Sequence, residues 1–155
     1  MLIVHRVSGE KHVVVIEPVT TADYKTIKRD KRFPNFDWGK EKKNEVYKLR
    51  RKDSEEILGL MSITDFKNER WIKINLLETS NENVGSSKQY DNIAGCLIAY
   101  TCRMAFLKGY DGVVALHPKT ELVRHYIDYY GFIKAGTHLY TELKNSEALI
   151  KKYLS

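Results

Sequence analysis

The chain has 155 residues, a formal charge of +6, 43% hydrophobic residues and 30% charged residues. This length suits one compact domain with a real core, and charge of mixed sign argues against global disorder. The longest aliphatic run, Val13-Val14-Val15-Ile16, is far shorter than the ~20 apolar residues of a membrane helix, and Met1 to Arg6 lacks the pattern of a signal peptide.

In chain order, Leu2 to Val7 and His12 to Glu17 read as two strands around a Ser8-Gly9-Glu10-Lys11 turn. Pro18 ends the second. Thr20-Thr21-Ala22-Asp23 starts a helix running to about Arg29. Phe33 to Gly39 is a loop of aromatics and breakers. Three strands follow as an antiparallel meander: Glu45 to Arg51, Glu56 to Asp65 and Arg70 to Glu78. Alternation is clearest over Trp71 to Leu76.

Thr79 to Gln89 is polar and reads as a loop. Asp91 or Asn92 caps a helix to about Lys108, with Ile93, Leu97, Tyr100, Thr101 and Met104 at helical spacing, and Gly109 stops it. Gly112 to Leu116 is a short buried strand. Pro118-Lys119-Thr120 begins a helix ending near Tyr130, with Gly131 as its stop. Ile133 to Leu143 forms one or two strands around Gly136, and Asn145 caps a closing helix. The order is an antiparallel β-rich half followed by helix, strand, helix, strand. This is an α/β domain whose sheet gains a parallel crossover late.

Cys96 and Cys102 lie six apart on one expected helix, so they point in different directions and do not pair. They read as core residues in a reducing, cytoplasmic setting. The five histidines show no metal-ligand spacing, and no metal is expected. Positive charge concentrates between Lys25 and Lys52, a segment that attracts anions: nucleic acid, an acidic acceptor or cofactor phosphates.

Gln89-Tyr90-Asp91-Asn92-Ile93-Ala94-Gly95 joins a strand to an amphipathic helix. The first-turn amides of that helix lack intrahelical partners and carry partial positive charge. Ala94 and Gly95 let a ligand approach the backbone. These residues support either an anion site or an ordinary capped helix.

The stretch from about Ile72 to Phe132 resembles the core of the GNAT acetyltransferases. Their motif after the fourth strand is Gln/Arg-x-x-Gly-x-Gly/Ala, and this chain has Gln89-x-x-Asn92-x-Ala94. Asn is the non-glycine residue that best tolerates left-handed backbone. A second block agrees in order and spacing: Gly109, the strand to Leu116, Lys119, Leu122, Tyr126 and Gly131-Phe132. The N-terminal part agrees in element order.

The resemblance implies a GNAT-like mixed, mostly antiparallel sheet flanked by helices and splayed at an acyl-CoA cleft. It implies a single domain over residues 1–155 that transfers an acetyl or other acyl group from acyl-CoA to an amine acceptor by direct attack. The amides of Gln89 to Gly95 would bind the CoA pyrophosphate, and the backbone of Leu76, Leu77 and Glu78 the pantetheine arm. His117 and Lys119 would lie at the cleft mouth, with Lys119 meeting a phosphate. Tyr126 would be the acid that protonates the leaving thiolate, with Tyr129 and Tyr130 as alternates. Glu78 would be the base, given a raised pKa. The loop Phe33 to Trp38 and the basic run around it would form the acceptor side. Two other readings compete: a degenerate GNAT fold acting as a binding module, and a basic nucleic-acid-binding domain. The chain is expected to be a monomer or homodimer.

Overall fold

A computed structural model describes all residues, Met1–Ser155. Its strands are β1 (Leu2–His5), β2 (Lys11–Pro18), β3 (Glu45–Arg51), β4 (Ile57–Phe66), β5 (Trp71–Thr79), β6 (Tyr90–Asp91), β7 (Val114–Leu116), β8 (Ile133–Ala135) and β9 (His138–Thr141). Its helices are α1 (Thr21–Asp30), α2 (Ile93–Leu107), α3 (Val123–Tyr130) and α4 (Leu143–Leu154). The nine strands hydrogen-bond in the order β6-β1-β2-β3-β4-β5-β7-β9-β8. The pairs β1–β2, β1–β6, β2–β3, β7–β9 and β8–β9 are antiparallel, whereas β5 and β7 are parallel and matched Ile72 to Val114. The late parallel crossover expected from the element order is therefore present. No helix is long and apolar enough to cross a membrane.

The chain divides into two compact units. The first comprises Met1–Ser62 and Leu76–Leu97, and the second Ile63–Asn75 and Ile98–Ser155. In the first, Ile27, Phe33, Trp38, Val46, Ile57 and Leu60 form one buried cluster. The "loop" aromatics Phe33 and Trp38 are thus core anchors, because their ring area is worth more buried than exposed. In the second, Ile72 and Ile74 are buried while Lys73 and Asn75 are only partly so. This is the period-two alternation read from the sequence.

Helix α1 begins as expected. Thr20 Oγ1 accepts the Asp23 N–H at 3.2 Å, and Asp23 Oδ2 accepts the Thr20 N–H at 2.9 Å, a reciprocal capping box. Asp23 also meets Lys48 Nζ at 2.7 Å, and Lys48 reaches Glu17 at 3.6 Å. Lys48 is only 5% exposed, so these carboxylates offset the cost of burying it. The hydrogen bond from Arg50 holds Glu17 below its ordinary pKa. Burial raises Asp23, but the Lys48 and Thr20 hydrogen bonds outweigh it and leave Asp23 lowered. Folded-state values below the unfolded ones give stability that is present above about pH 4 and lost as pH falls through the folded pKa. Melting temperature is therefore expected to fall on acidification below about pH 4. Lys48→Met should flatten that fall and cost about 3 kcal/mol at pH 7. An unchanged acid profile in Lys48→Met would rule out this pairing as its cause.

Three boundaries differ from the sequence expectation. The helix expected at Pro118-Lys119 starts as a single 3-10 turn over Thr120–Leu122 and becomes α only at Val123. Lys119 is extended and provides no side-chain cap, and the Leu122 N–H closes on the Lys119 carbonyl at 2.9 Å. Asn145 does not cap α4. The helix begins at Leu143, whose N–H donates to the Asp111 carbonyl at 2.9 Å. Asn145 Nδ2 instead donates to the Tyr130 carbonyl at 2.9 Å and to Thr141 Oγ1 at 2.8 Å. It thereby satisfies a carbonyl left open at the end of α3. Finally, Asp91, expected as a candidate helix cap, pairs with β1 together with Tyr90.

Candidate functional site

The segment from Gln89 to Gly95 has two parts. Gln89 donates its N–H to the Glu82 carbonyl at 3.1 Å, and its own carbonyl accepts the Arg6 N–H at 2.8 Å. The Tyr90 N–H donates to Asn83 Oδ1 at 3.0 Å. Arg51 donates to the Tyr90 hydroxyl at 3.0 Å, and the Asp91 carboxylate lies between Arg6 at 3.8 Å and Lys88 at 3.3 Å. Residues 89–91 are thus engaged within the protein. Asn83, buried and bonded to both Tyr90 and Ser80, organises this turn. Nothing in the sequence around Asn83 marked it for that role.

Residues 92–95 are arranged differently. Asn92 adopts φ = 81°, the left-handed conformation. The GNAT-type spacing assigns glycine to this position, and Asn meets the same backbone demand with a short polar side chain. The first helical bond runs from the Cys96 N–H to the Asn92 carbonyl at 2.9 Å. The amides of Ile93, Ala94 and Gly95 therefore precede any intrahelical partner and carry the positive end of α2.

Gly59 on β4 sets how closely this helix start lies on the sheet. A Cβ there would meet Ile93 Cγ2 at 2.8 Å and Leu97 Cδ1 at 3.0 Å. A glycine inside a strand was the available sequence signal for such an approach.

At the end of β5, Leu76 and Leu77 are partly buried, while Glu78 is 4% exposed. Glu78 Oε2 accepts the Asn35 N–H at 2.9 Å, and Oε1 accepts Trp38 Nε1–H at 2.8 Å. Each carboxylate oxygen thus has a fixed, non-titrating donor from the aromatic loop. This geometry makes Glu78 a brace holding residues 35–38 against the strand end. The forty-residue separation of Glu78 and Trp38 hid this pairing from the sequence.

On α3 the three tyrosines separate by environment. Tyr129 is 55% exposed and stacks on His125 at 5.2 Å. Tyr130 is buried. Tyr126 is partly buried, its ring 5.8 Å from Tyr130 and 5.7 Å from Phe132. The Tyr126–Tyr130 proximity is the one expected from helical spacing. Burial pushes the Tyr126 phenol up to about 12, so it stays protonated at neutral pH. Gly131, at φ = 73°, ends the helix by donating to the Ile127 carbonyl at 3.1 Å; the Phe132 N–H closes on Tyr126 at 3.2 Å. Lys119 and His117 are exposed, and the His117 ring lies 5.5 Å from His138.

Most of the basic segment falls into two groups. Arg29, Arg32, Lys48, Arg50 and Arg51 form ion pairs. Lys25, Lys28, Lys31 and Lys42 line a cavity of about 540 Å³ between α1 and the aromatic loop.

This architecture is the fold of the GNAT N-acetyltransferases. A spermidine N-acetyltransferase from Vibrio cholerae, solved in complex with CoA and spermine, matches with a TM-score of 0.63 at 12% identity over 86% of this chain and 98% of its own. Tetrahymena GCN5 matches with a TM-score of 0.55 at 12% identity, over 84% and 97%. AtaT complexed with acetyl-methionyl-tRNAfMet matches with a TM-score of 0.57 at 16% identity, over 88% and 98%. No family profile and no curated protein matches the sequence.

Proposed function

We propose that the chain is an N-acyltransferase that moves an acetyl or other acyl group from acyl-CoA to an amine. The observation that carries this reading is the start of α2: three consecutive amides, Ile93 to Gly95, behind a left-handed Asn92. The match to solved acetyltransferase folds supports it. In this reading the amides of Ile93 to Gly95 bind the pyrophosphate, and Gln89, Tyr90, Asp91 and Asn92 shape the turn that presents them. The backbone of Leu76, Leu77 and Glu78 holds the pantetheine arm, and Lys119 meets a phosphate.

Acyl-CoA supplies the activated thioester. As the amine nitrogen bonds to the acyl carbon, the carbon–sulfur bond breaks. One proton leaves the nitrogen and one reaches the sulfur. In this reading Tyr126, at the family's tyrosine position on α3, is the proton donor to sulfur, its phenol being protonated at neutral pH. Each Glu78 oxygen accepts one hydrogen bond and keeps a further lone pair, so the amine proton goes to Glu78 or to water, and the Glu78→Gln variant separates the two. The two cysteines are buried free thiols, in keeping with a reducing, cytoplasmic location.

Acetyl-CoA at a hundred times its Kd is expected to stabilise the protein by about 2.7 kcal/mol. That corresponds to a Tm rise of roughly 5–10 °C for a chain of this size. Asn92→Gly should keep the shift, because glycine adopts the same backbone. Asn92→Glu should abolish it by setting a negative charge beside the phosphates. An equal shift in the wild type and Asn92→Glu would place the pyrophosphate elsewhere, and no shift in the wild type would overturn the reading.

A further inference from the structure

The cavity between α1 and the aromatic loop has walls of two kinds. Lys25, Lys28, Lys31 and Lys42 bring four positive charges to it, against one carboxylate on Asp37. No ion pair engages any of these four lysines, unlike their neighbours Arg29, Arg32 and Lys48. Lys42 Nζ lies 5.2 Å from the Tyr24 ring centroid. Tyr24 and Phe36, both partly buried, contribute aromatic surface to the same cavity. Its volume, about 540 Å³, falls within the usual range for small-ligand pockets, roughly 300–1,000 Å³. The loop forming one wall is braced to the end of β5 through Glu78, by Asn35 and Trp38.

We propose that this pocket binds a nucleobase together with its adjacent phosphates, so that the acceptor amine is carried on a nucleotide or a single-stranded RNA end. This rests on the acyltransferase reading and names the substrate class of that activity. The charge decides against a polyamine acceptor: four lysines repel a polycation, and one carboxylate does not offset them. Aromatic walls decide against a purely acidic ligand, which has no planar face to place on Tyr24 or Phe36. A base with phosphates uses both wall types, through stacking on rings and charge on lysines.

The test is fluorescence anisotropy with a labelled single-stranded RNA octamer, with adenosine monophosphate, spermine, poly-glutamate and unlabelled acetyl-CoA as competitors. Three phosphate contacts on a single strand give a salt slope of about −2, so affinity should fall about 20-fold from 50 to 200 mM salt. Lys25→Glu combined with Lys28→Glu should weaken RNA binding at least about ten-fold and reduce that slope. Both residues are exposed, so folding should be preserved, as an unchanged acetyl-CoA melting shift would show. Phe36→Ala should weaken binding by roughly five-fold or more.

Displacement by adenosine monophosphate would assign the site to a free nucleotide; its failure would assign it to the strand. Equal competition by poly-glutamate or tighter binding of spermine would each overturn the proposal, as would displacement of RNA by acetyl-CoA where adenosine monophosphate fails to displace it. So would absence of RNA binding in a protein that acetyl-CoA still stabilises. Absence of the acetyl-CoA shift itself would instead sink the acyltransferase reading.

Discussion

Tyr126→Phe is expected to lower the rate of acyl transfer by about a hundred-fold or more while leaving acetyl-CoA binding and Tm nearly unchanged. The ring contacts with Tyr130 and Phe132 survive the substitution, and only the hydroxyl is lost. A hundred-fold loss is about 2.7 kcal/mol of barrier, within the range for a general acid. With the phenol raised to about 12, Tyr126 stays protonated throughout pH 6–10, and no descending limb in that range should belong to it. Tyr129→Phe serves as the control, because that ring is exposed. If Tyr126→Phe keeps full rate and Tyr130→Phe does not, the acid is Tyr130.

Glu78→Ala is expected to cost about 3 kcal/mol, seen as a Tm fall of roughly 6–12 °C. The substitution leaves the Asn35 N–H and Trp38 Nε1–H without their acceptors, and Trp38 is itself 2% exposed. An unsatisfied buried donor costs about 1–3 kcal/mol; Trp38 Nε1–H becomes one, and the part-buried Asn35 N–H adds a smaller loss. Glu78→Gln keeps an acceptor for one donor and should lose less stability. A base and a brace separate cleanly in this pair. A catalytic base predicts that Glu78→Gln loses turnover at unchanged Tm. A brace predicts that Tm falls in both variants and that acceptor KM rises with it, because the loop lining the basic cavity is released.

Much of the fold was legible because it rests on local signals. The Thr20–Asp23 cap, the period-two burial of β5 and the glycine stop at Gly131 are decided within a few residues of chain. Asn92 was legible for the same reason, since its left-handed backbone is a property of the residue and its immediate neighbours. The helix starts at Val123 and Leu143 were not. Each depends on a bond absent from the local pattern: the Lys119 carbonyl closing a tighter turn, and the Asp111 carbonyl accepting the Leu143 N–H.

The segment Gln89 to Gly95 shows where the division falls. Its sequence determined a strand-to-helix junction whose first amides lack intrahelical partners and whose central residue accepts positive φ, and it left an anion site and an ordinary capped helix both open. Tertiary structure alone decided that Gln89 and Tyr90 are engaged by Glu82, Arg6 and Asn83, leaving the amides of Ile93 to Gly95 as the open ones. In the same way, the sequence marked Glu78 as a carboxylate at a strand end. Only the fold brought Trp38 to it across forty residues and gave that carboxylate a buried donor. A buried charge takes its role from the donors that surround it, and those donors come from distant parts of the chain.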